Sequence, residues 1–220
     1  MKFFEECFKC FLLEEQYQAI ELNPNRLKMN NLYQQLANID IKNFDDRYVQ
    51  SDEELRNDFE ISGSYSWGLL DRTDNEFKGY ILGYSPDTYD INNNRKEFQK
   101  ILDSNDQRLK FYSNFNIQSS SDIIFKDLST SNGFYVSSLA INGEARKTPS
   151  AGRMIYNFIN GLKTKGIKYI IFDGMQDTLN IFLNPDGTPN EKRLNSYNIK
   201  LVLTFPSDED RLFSLMMLNN

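Results

Sequence analysis

Histidine is absent from the 220 residues, and cysteine occurs only twice, as Cys7 and Cys10. Without histidine there is no Ser-His-Asp or Cys-His nucleophile, no imidazole metal ligand and no general base of the commonest kind. Proton transfer therefore falls to Asp, Glu, Tyr, Cys, Lys or a relayed water. The cysteines form a C-x-x-C with no second pair, so the usual four-ligand zinc set is incomplete and no metal is expected. A redox motif of this kind opens a helix that follows a strand, and only six residues precede Cys7. The pair reads as two small apolar residues on an N-terminal helix.

Long apolar runs are missing too. Nothing approaches the roughly 20 residues that span a bilayer. Met1–Leu13 is interrupted by Glu5, Glu6 and Lys9 and lacks a basic start or a small-residue cleavage site, so no secretory leader is read there. A cytoplasmic protein with no membrane partner is expected. Positive charge is also scarce: 25 Lys and Arg against 31 Asp and Glu give a net charge of −6. That excludes a broad footprint on nucleic acid or anionic lipid but leaves room for a local basic pocket.

What is present can fill a core: 40% hydrophobic residues and 14% aromatic ones, with 17 Phe and 12 Tyr. The length fits a single domain, 1–220. Glu14–Leu22 reads as a first strand or as the continuation of an N-terminal helix. Leu27, Met29, Leu32, Tyr33, Leu36 and Ala37 are spaced as a helix over Arg26–Ile39. Ser51-Asp52-Glu53-Glu54 is a helix-start signature ahead of Leu55 and Phe59. Tyr65–Leu70 and Phe77–Tyr84 flank a turn-rich Asp71–Asn75 and predict a hairpin. Ser85–Ser121, rich in Asn, Asp and Ser, reads as an insertion or lid, with a possible helix over Arg95–Leu109. Asp122–Leu128 is a short strand or part of the next one. Thr178–Leu183 predicts a short helix, and Ile199–Phe205 with Arg211–Leu218 a closing pair of strands. The order implies an α+β (α/β-like) fold, with a mixed, mostly antiparallel sheet flanked by helices.

The most informative block is Gly133–Gly174. An apolar run, Phe134–Ile141, leads into a small-residue turn. An amphipathic helix follows over Ala151–Lys165, ending at Gly166, and then a second apolar run, Ile167–Phe172. The first turn of a helix presents unpaired N–H groups and the positive end of its dipole, so a polar, glycine-containing loop at this entrance is suited to an anion. Ser150, Ala151 and Gly152 are small, and Lys147, Arg153 and nearby Arg146 supply positive charge. Pro149 costs one N–H, although Pro suits a helix start.

Element order and turn together resemble the GNAT superfamily of acyl-CoA-dependent N-acyltransferases. In that family the fourth strand of the meander runs into an R/Q-x-x-G-x-G/A turn at the start of the main helix. Here the turn is Lys147-Thr148-Pro149-Ser150-Ala151-Gly152, with Lys for Arg or Gln and Ser150 for the first glycine. Trp67–Leu70 and Gly79–Gly83 look like the second and third strands. The resemblance covers Tyr17–Leu218 apart from the insertion and implies the following. The cofactor is acetyl-CoA or another acyl-CoA. Its pyrophosphate lies on Lys147, Ser150, Ala151, Gly152 and Arg153, and its pantetheine arm lies along the main chain of Leu139, Ala140 and Ile141. The acceptor is a primary amine, a small amine or protein amine rather than nucleic acid. Candidates for the base are Asp173 and Glu144. The family often carries a tyrosine acid on the helix after the fifth strand, where this chain has Phe182 or Leu183, so Tyr197, Tyr156 or Tyr135 would have to substitute, Tyr197 first. A second reading is a GNAT-like binding protein without catalysis, in line with the altered glycine and the missing tyrosine.

Overall fold

The structure, a computed structural model, describes residues 16–23, 31–85, 110–111, 132–186, 188–208 and 211–219. The expectations for Cys7 and Cys10, for Arg95–Leu109 and for Asp122–Leu128 lie outside these residues, as does most of 85–121. The chain divides into two compact units, residues 1–83 with 138–160 and residues 84–137 with 161–220.

In the first unit, β1 (Tyr17–Glu21) pairs antiparallel with β2 (Tyr65–Asp71), which forms a hairpin with β3 (Glu76–Tyr84). The hairpin turn is held by Asp71, whose Oδ1 accepts from the Thr73 N–H at 2.9 Å and hydroxyl at 2.7 Å. Asn75, at φ 58°, takes the left-handed position, which Asn tolerates better than most residues. A Cβ on Gly68 would come within 2.7–2.8 Å of the Phe77 ring and Leu22, so any larger residue there forces those side chains to shift.

Helix α1 (Leu32–Asn43) buries Leu32, Leu36, Ala37, Ile39 and Asp40. It begins at Leu32, inside the expected Arg26–Ile39 stretch, runs past that stretch to Asn43, and ends where the Phe44 N–H returns to the Asp40 carbonyl at 2.9 Å. Helix α2 (Asp52–Glu60) starts on a complete capping box between Ser51 and Glu54, which satisfies two otherwise orphaned donors. Leu36, Ile39, Leu55, Phe59, Phe77, Tyr80, Leu82 and Ala140 form one core cluster.

Strand β5 (Gly133–Ile141) belongs to both units. In the first, its residues from Ser138 onward lie beside β3, giving the order β1-β2-β3-β5. A Cβ on Gly79 would meet the Ala140 carbonyl at 3.0 Å, so glycine lets the two strands close up. Helix α3 (Gly143–Arg146) and helix α4 (Pro149–Thr164) follow. The Phe158 ring stacks on Tyr65, centroids 5.5 Å apart. Tyr65 shares a face with its register partner Gly83, and Tyr80 and Leu82 point to the other face. Strand parity thus puts α4 on one face and α1 and α2 on the other.

In the second unit, β5 pairs parallel with β6 (Tyr169–Met175) from Gly133↔Tyr169 to Val136↔Phe172. The order continues β5-β6-β8-β7-β4. Here β7 (Ile199–Asp208) and β8 (Arg211–Leu218) form an antiparallel hairpin, and β4 is the short Lys110–Phe111. Helix α4 ends in a Schellman cap. Gly166 sits at φ 81°, its N–H meets the Lys163 carbonyl, and the Ile167 N–H meets that of Leu162; glycine is the residue that takes this position without strain. The expected helix over Thr178–Leu183 is shorter and earlier. Helix α5 is Gln176–Leu179, because the Phe182 and Leu183 N–H groups both return to the Leu179 carbonyl in a tight turn. Helix α6 (Glu191–Ser196) precedes β7. One parallel pair among antiparallel ones, with helices on the faces, is the mixed α+β sheet expected.

Candidate functional site

The end of β5 and the start of α4 form one continuous segment of the first unit. The β5/β6 ladder stops at Val136, and β5 runs on through Ile141. Leu139, Ala140 and Ile141 are buried in that extension. Its far end is pinned to β3 by the Asn142 N–H on the Lys78 carbonyl at 2.8 Å. It is pinned to α1 by Asn43, whose Nδ2 donates to Asn142 Oδ1 at 2.9 Å and whose Oδ1 accepts from Arg146 Nη2 at 3.3 Å.

The four N-terminal N–H groups of α4 can be accounted for individually. Thr148 precedes the helix, and its N–H goes to the Ala145 carbonyl at 3.1 Å. Pro149 has none. Ala151 donates to the Thr148 carbonyl at 3.2 Å and to its Oγ1 at 3.4 Å. That leaves the Ser150 N–H, which has no partner among the described residues. Thr148, not Ser150, is therefore the cap. The Ser150 hydroxyl is buried and donates to the Tyr17 carbonyl at 3.0 Å, tying the helix entrance to β1.

Around this entrance, Lys147 and Arg153 are exposed and Gly152 is partly so. Lys147 Nζ reaches Glu144 Oε1 at 3.2 Å, an ion pair with both side chains largely in water, where such pairs hold little energy. One residue before Lys147, Arg146 is exposed and its Nη2 is anchored by Asn43 Oδ1, while Ala151 is buried. Sequence reasoning missed Asn43, Asn142 and Thr148. The signal available was two asparagines and a threonine beside a helix start, where such side chains bond local backbone.

Asp173 and Tyr197 belong to the second unit. Asp173, on β6, is partly buried; its Oδ1 accepts from Arg211 Nε at 3.4 Å, and Arg211 Nη2 also reaches its carbonyl. The Tyr197 ring lies edge-on to Phe182 at 5.6 Å, and Phe182 packs on Phe172 at 5.3 Å. Burial pushes the Tyr197 hydroxyl above its usual range, which keeps it protonated. Of the other two tyrosines considered, Tyr135 is buried against Tyr84 and Tyr156 is exposed on α4.

A buried polar chain that sequence reasoning did not foresee crosses the core of the first unit. Ser138 Oγ donates to Tyr80 Oη at 2.8 Å, and Tyr80 Oη donates to Asp40 Oδ1 at 2.7 Å. The backbone N–H of Gln50 approaches Asp40 Oδ2 at 3.4 Å. Burial raises the Asp40 carboxyl to about 6, with the Tyr80 and Gln50 bonds pulling the other way. Burial and the neighbouring carboxylate hold the Tyr80 hydroxyl well above its ordinary value. Among the described residues no group of three or more carboxylate or thiol ligands gathers into a metal site, and no helix is long and apolar enough to cross a membrane.

No family model and no curated protein matches the sequence. Solved structures do match. An aminoglycoside 6'-acetyltransferase type Ii superimposes with a TM-score of 0.52 at 14% identity, over 91% of this chain and 96% of that one. An aminoglycoside 6'-N-acetyltransferase complexed with coenzyme A gives 0.50 at 14%, over 90% and 94%. An acetyltransferase of GNAT family from Staphylococcus aureus Mu50 gives 0.50 at 11%, over 92% and 99%. The chain thus shares the fold of these three proteins. It has the GNAT fold.

Proposed function

We propose that the chain is a divergent GNAT N-acyltransferase acting in the cytoplasm, which moves an acyl group, most simply acetyl, from acyl-CoA to a primary amine by direct attack on the thioester. The observation that carries this reading is the extension of β5 beyond its β6 ladder, running directly into the turn and first turn of α4 within a GNAT fold. The main chain of Leu139, Ala140 and Ile141 would bond the pantetheine arm. The Ser150 N–H, the small Ala151 and Gly152, and the cations Lys147, Arg146 and Arg153 would take the pyrophosphate. Glu144 or Asp173 would serve as base and Tyr197 as acid. The acceptor is an amine of a small molecule or of a protein, and the acidic balance favours a cationic one.

Isothermal titration with acetyl-CoA tests this reading. Wild-type protein is expected to bind in the micromolar range, about −8 kcal/mol, and Gly152→Asp to abolish binding by placing a carboxylate against the phosphates. Binding that survives the substitution moves the site away from α4.

A second reading, a binding protein that has lost catalysis, draws on the N–H accounting at α4. A first turn with no N–H at Pro149, the Ala151 N–H turned back to Thr148 and the Ser150 hydroxyl committed to β1 makes a sparse pyrophosphate cradle. A folded protein that ignores millimolar acetyl-CoA would favour this second reading.

A further inference from the structure

We propose that Ser138 is the group that takes the proton from the acceptor amine, and that Tyr80 and Asp40 are positioning residues that carry this proton into the core. The inference rests on the acyltransferase reading and assigns it a base outside the carboxylates already considered.

Geometry and chemistry together fix the direction of the chain. An ionised carboxylate only accepts, so the single hydrogen of Tyr80 must point to Asp40 Oδ1. The Tyr80 oxygen is then left as acceptor, and Ser138 must donate to it. Ser138 has therefore spent its hydrogen inward and presents only lone pairs elsewhere. Asp40 and Tyr80 are fully buried, at 0% exposure each, whereas Ser138 keeps 8%. Ser138 is buried as well, but it keeps the most exposure of the three and is therefore the end assigned to the substrate. It directly precedes Leu139–Ile141, the stretch assigned to the pantetheine arm.

No cation contacts the chain among the bonds that define it. The groups facing it are Tyr80 from β3, Ser138 from β5, and Gln50 from the loop before α2. Asp58, on α2, bonds Gln50 Nε2 at 3.0 Å and acts on Tyr80 as a further negative charge. Gln50 Oε1 is buried with no partner among the described residues. Such surroundings favour a proton arriving at Asp40.

The amine enters neutral, its ammonium proton having gone to water. Nitrogen attacks the thioester carbonyl, the C–N bond forms and the C–S bond breaks. The N–H proton passes to Ser138 Oγ as the serine hydrogen moves to Tyr80 Oη and the tyrosine hydrogen to Asp40 Oδ1. With Asp40 protonated every bond in the chain reverses, and Ser138 then points its O–H outward. The proton returns along the same path to the leaving thiolate, which departs as the free thiol.

The test is thiol release from acetyl-CoA with spermidine and, separately, ethanolamine as probe amines, followed from pH 5 to 9. Wild type is expected to show a rate limb near pH 6. Ser138→Ala and Tyr80→Phe are expected to lose about 10²-fold or more in kcat, the scale of general-base catalysis. Both should lose the limb and keep the KM for acetyl-CoA. Ser138→Thr, which restores the hydroxyl, should recover rate and limb, a rescue that a purely structural serine would not require. Wild-type kcat and limb in Ser138→Ala or Tyr80→Phe overturn the relay. A wild type that does not bind acetyl-CoA refutes the acyltransferase reading itself, and the relay's role with it.

Discussion

Asp40 is the residue on which physical chemistry makes its clearest demand. It occupies a position on the buried face of α1 that the helical pattern reserves for an apolar side chain, and it holds a carboxyl there with one short hydrogen bond. Its carboxyl is raised from 3.8 to about 6 by burial. A raised acid binds its proton more tightly folded than unfolded, so it adds stability below its unfolded value and loses it as pH rises through the folded one. The window is about pH 4 to 6, and the difference amounts to about 3 kcal/mol. Urea denaturation of wild type and Asp40→Asn across this range checks it: the stability advantage of wild type over the variant should shrink by that order from pH 4 to pH 7. A difference flat with pH would mean that Asp40 is solvated in the folded protein. Its role was not legible in sequence, because an acid on an apolar stripe signals burial without revealing its partner; Tyr80 and Ser138 lie 40 and 58 positions apart from Asp40 and Tyr80 respectively.

At the level of elements, what could be read was whatever local chemistry fixes. The hairpin of β2 and β3, the capping box of α2, the strand–helix–strand of β5, α4 and β6, and the final hairpin each follow from periodicity, a cap or a turn within a dozen residues. Boundaries set by return hydrogen bonds were not readable, as at Asp40–Phe44 and Leu179–Leu183. Nor was the division of labour at α4, where Thr148 caps and Ser150 reaches across 133 residues of sequence to β1. Fold class and the small-residue helix entrance were legible, but the polar groups that hold the entrance were not. The Ser150 tie should be measurable. Ser150→Ala leaves the Tyr17 carbonyl short of a buried donor, a loss of about 1–3 kcal/mol. A urea midpoint equal to that of wild type would show that the hydroxyl is not committed to β1.

For the molecule as a whole, charge sets a bias that no single residue carries. A net charge of −6 draws cations toward the surface and, on the proposed acyltransferase reading, repels an anionic cofactor until close contact with Arg146, Lys147 and Arg153 takes over. Such fields alter encounter rates and are screened by salt. The Debye length falls from about 30 Å at 0.01 M to about 8 Å at 0.15 M. Over that range, kcat/KM for spermidine, a trication at neutral pH, should fall several-fold, while that for ethanolamine, a monocation, should fall much less. Association of acetyl-CoA should quicken over the same range, because the long-range term acting on it is repulsive. The two slopes therefore carry opposite signs, which separates steering from a general effect of salt on stability. Equal slopes for the two amines would mean that the acidic groups, Asp45, Asp46, Asp52 and Glu53 among them, lie off the acceptor's path, and that acceptor choice rests on short-range contacts alone.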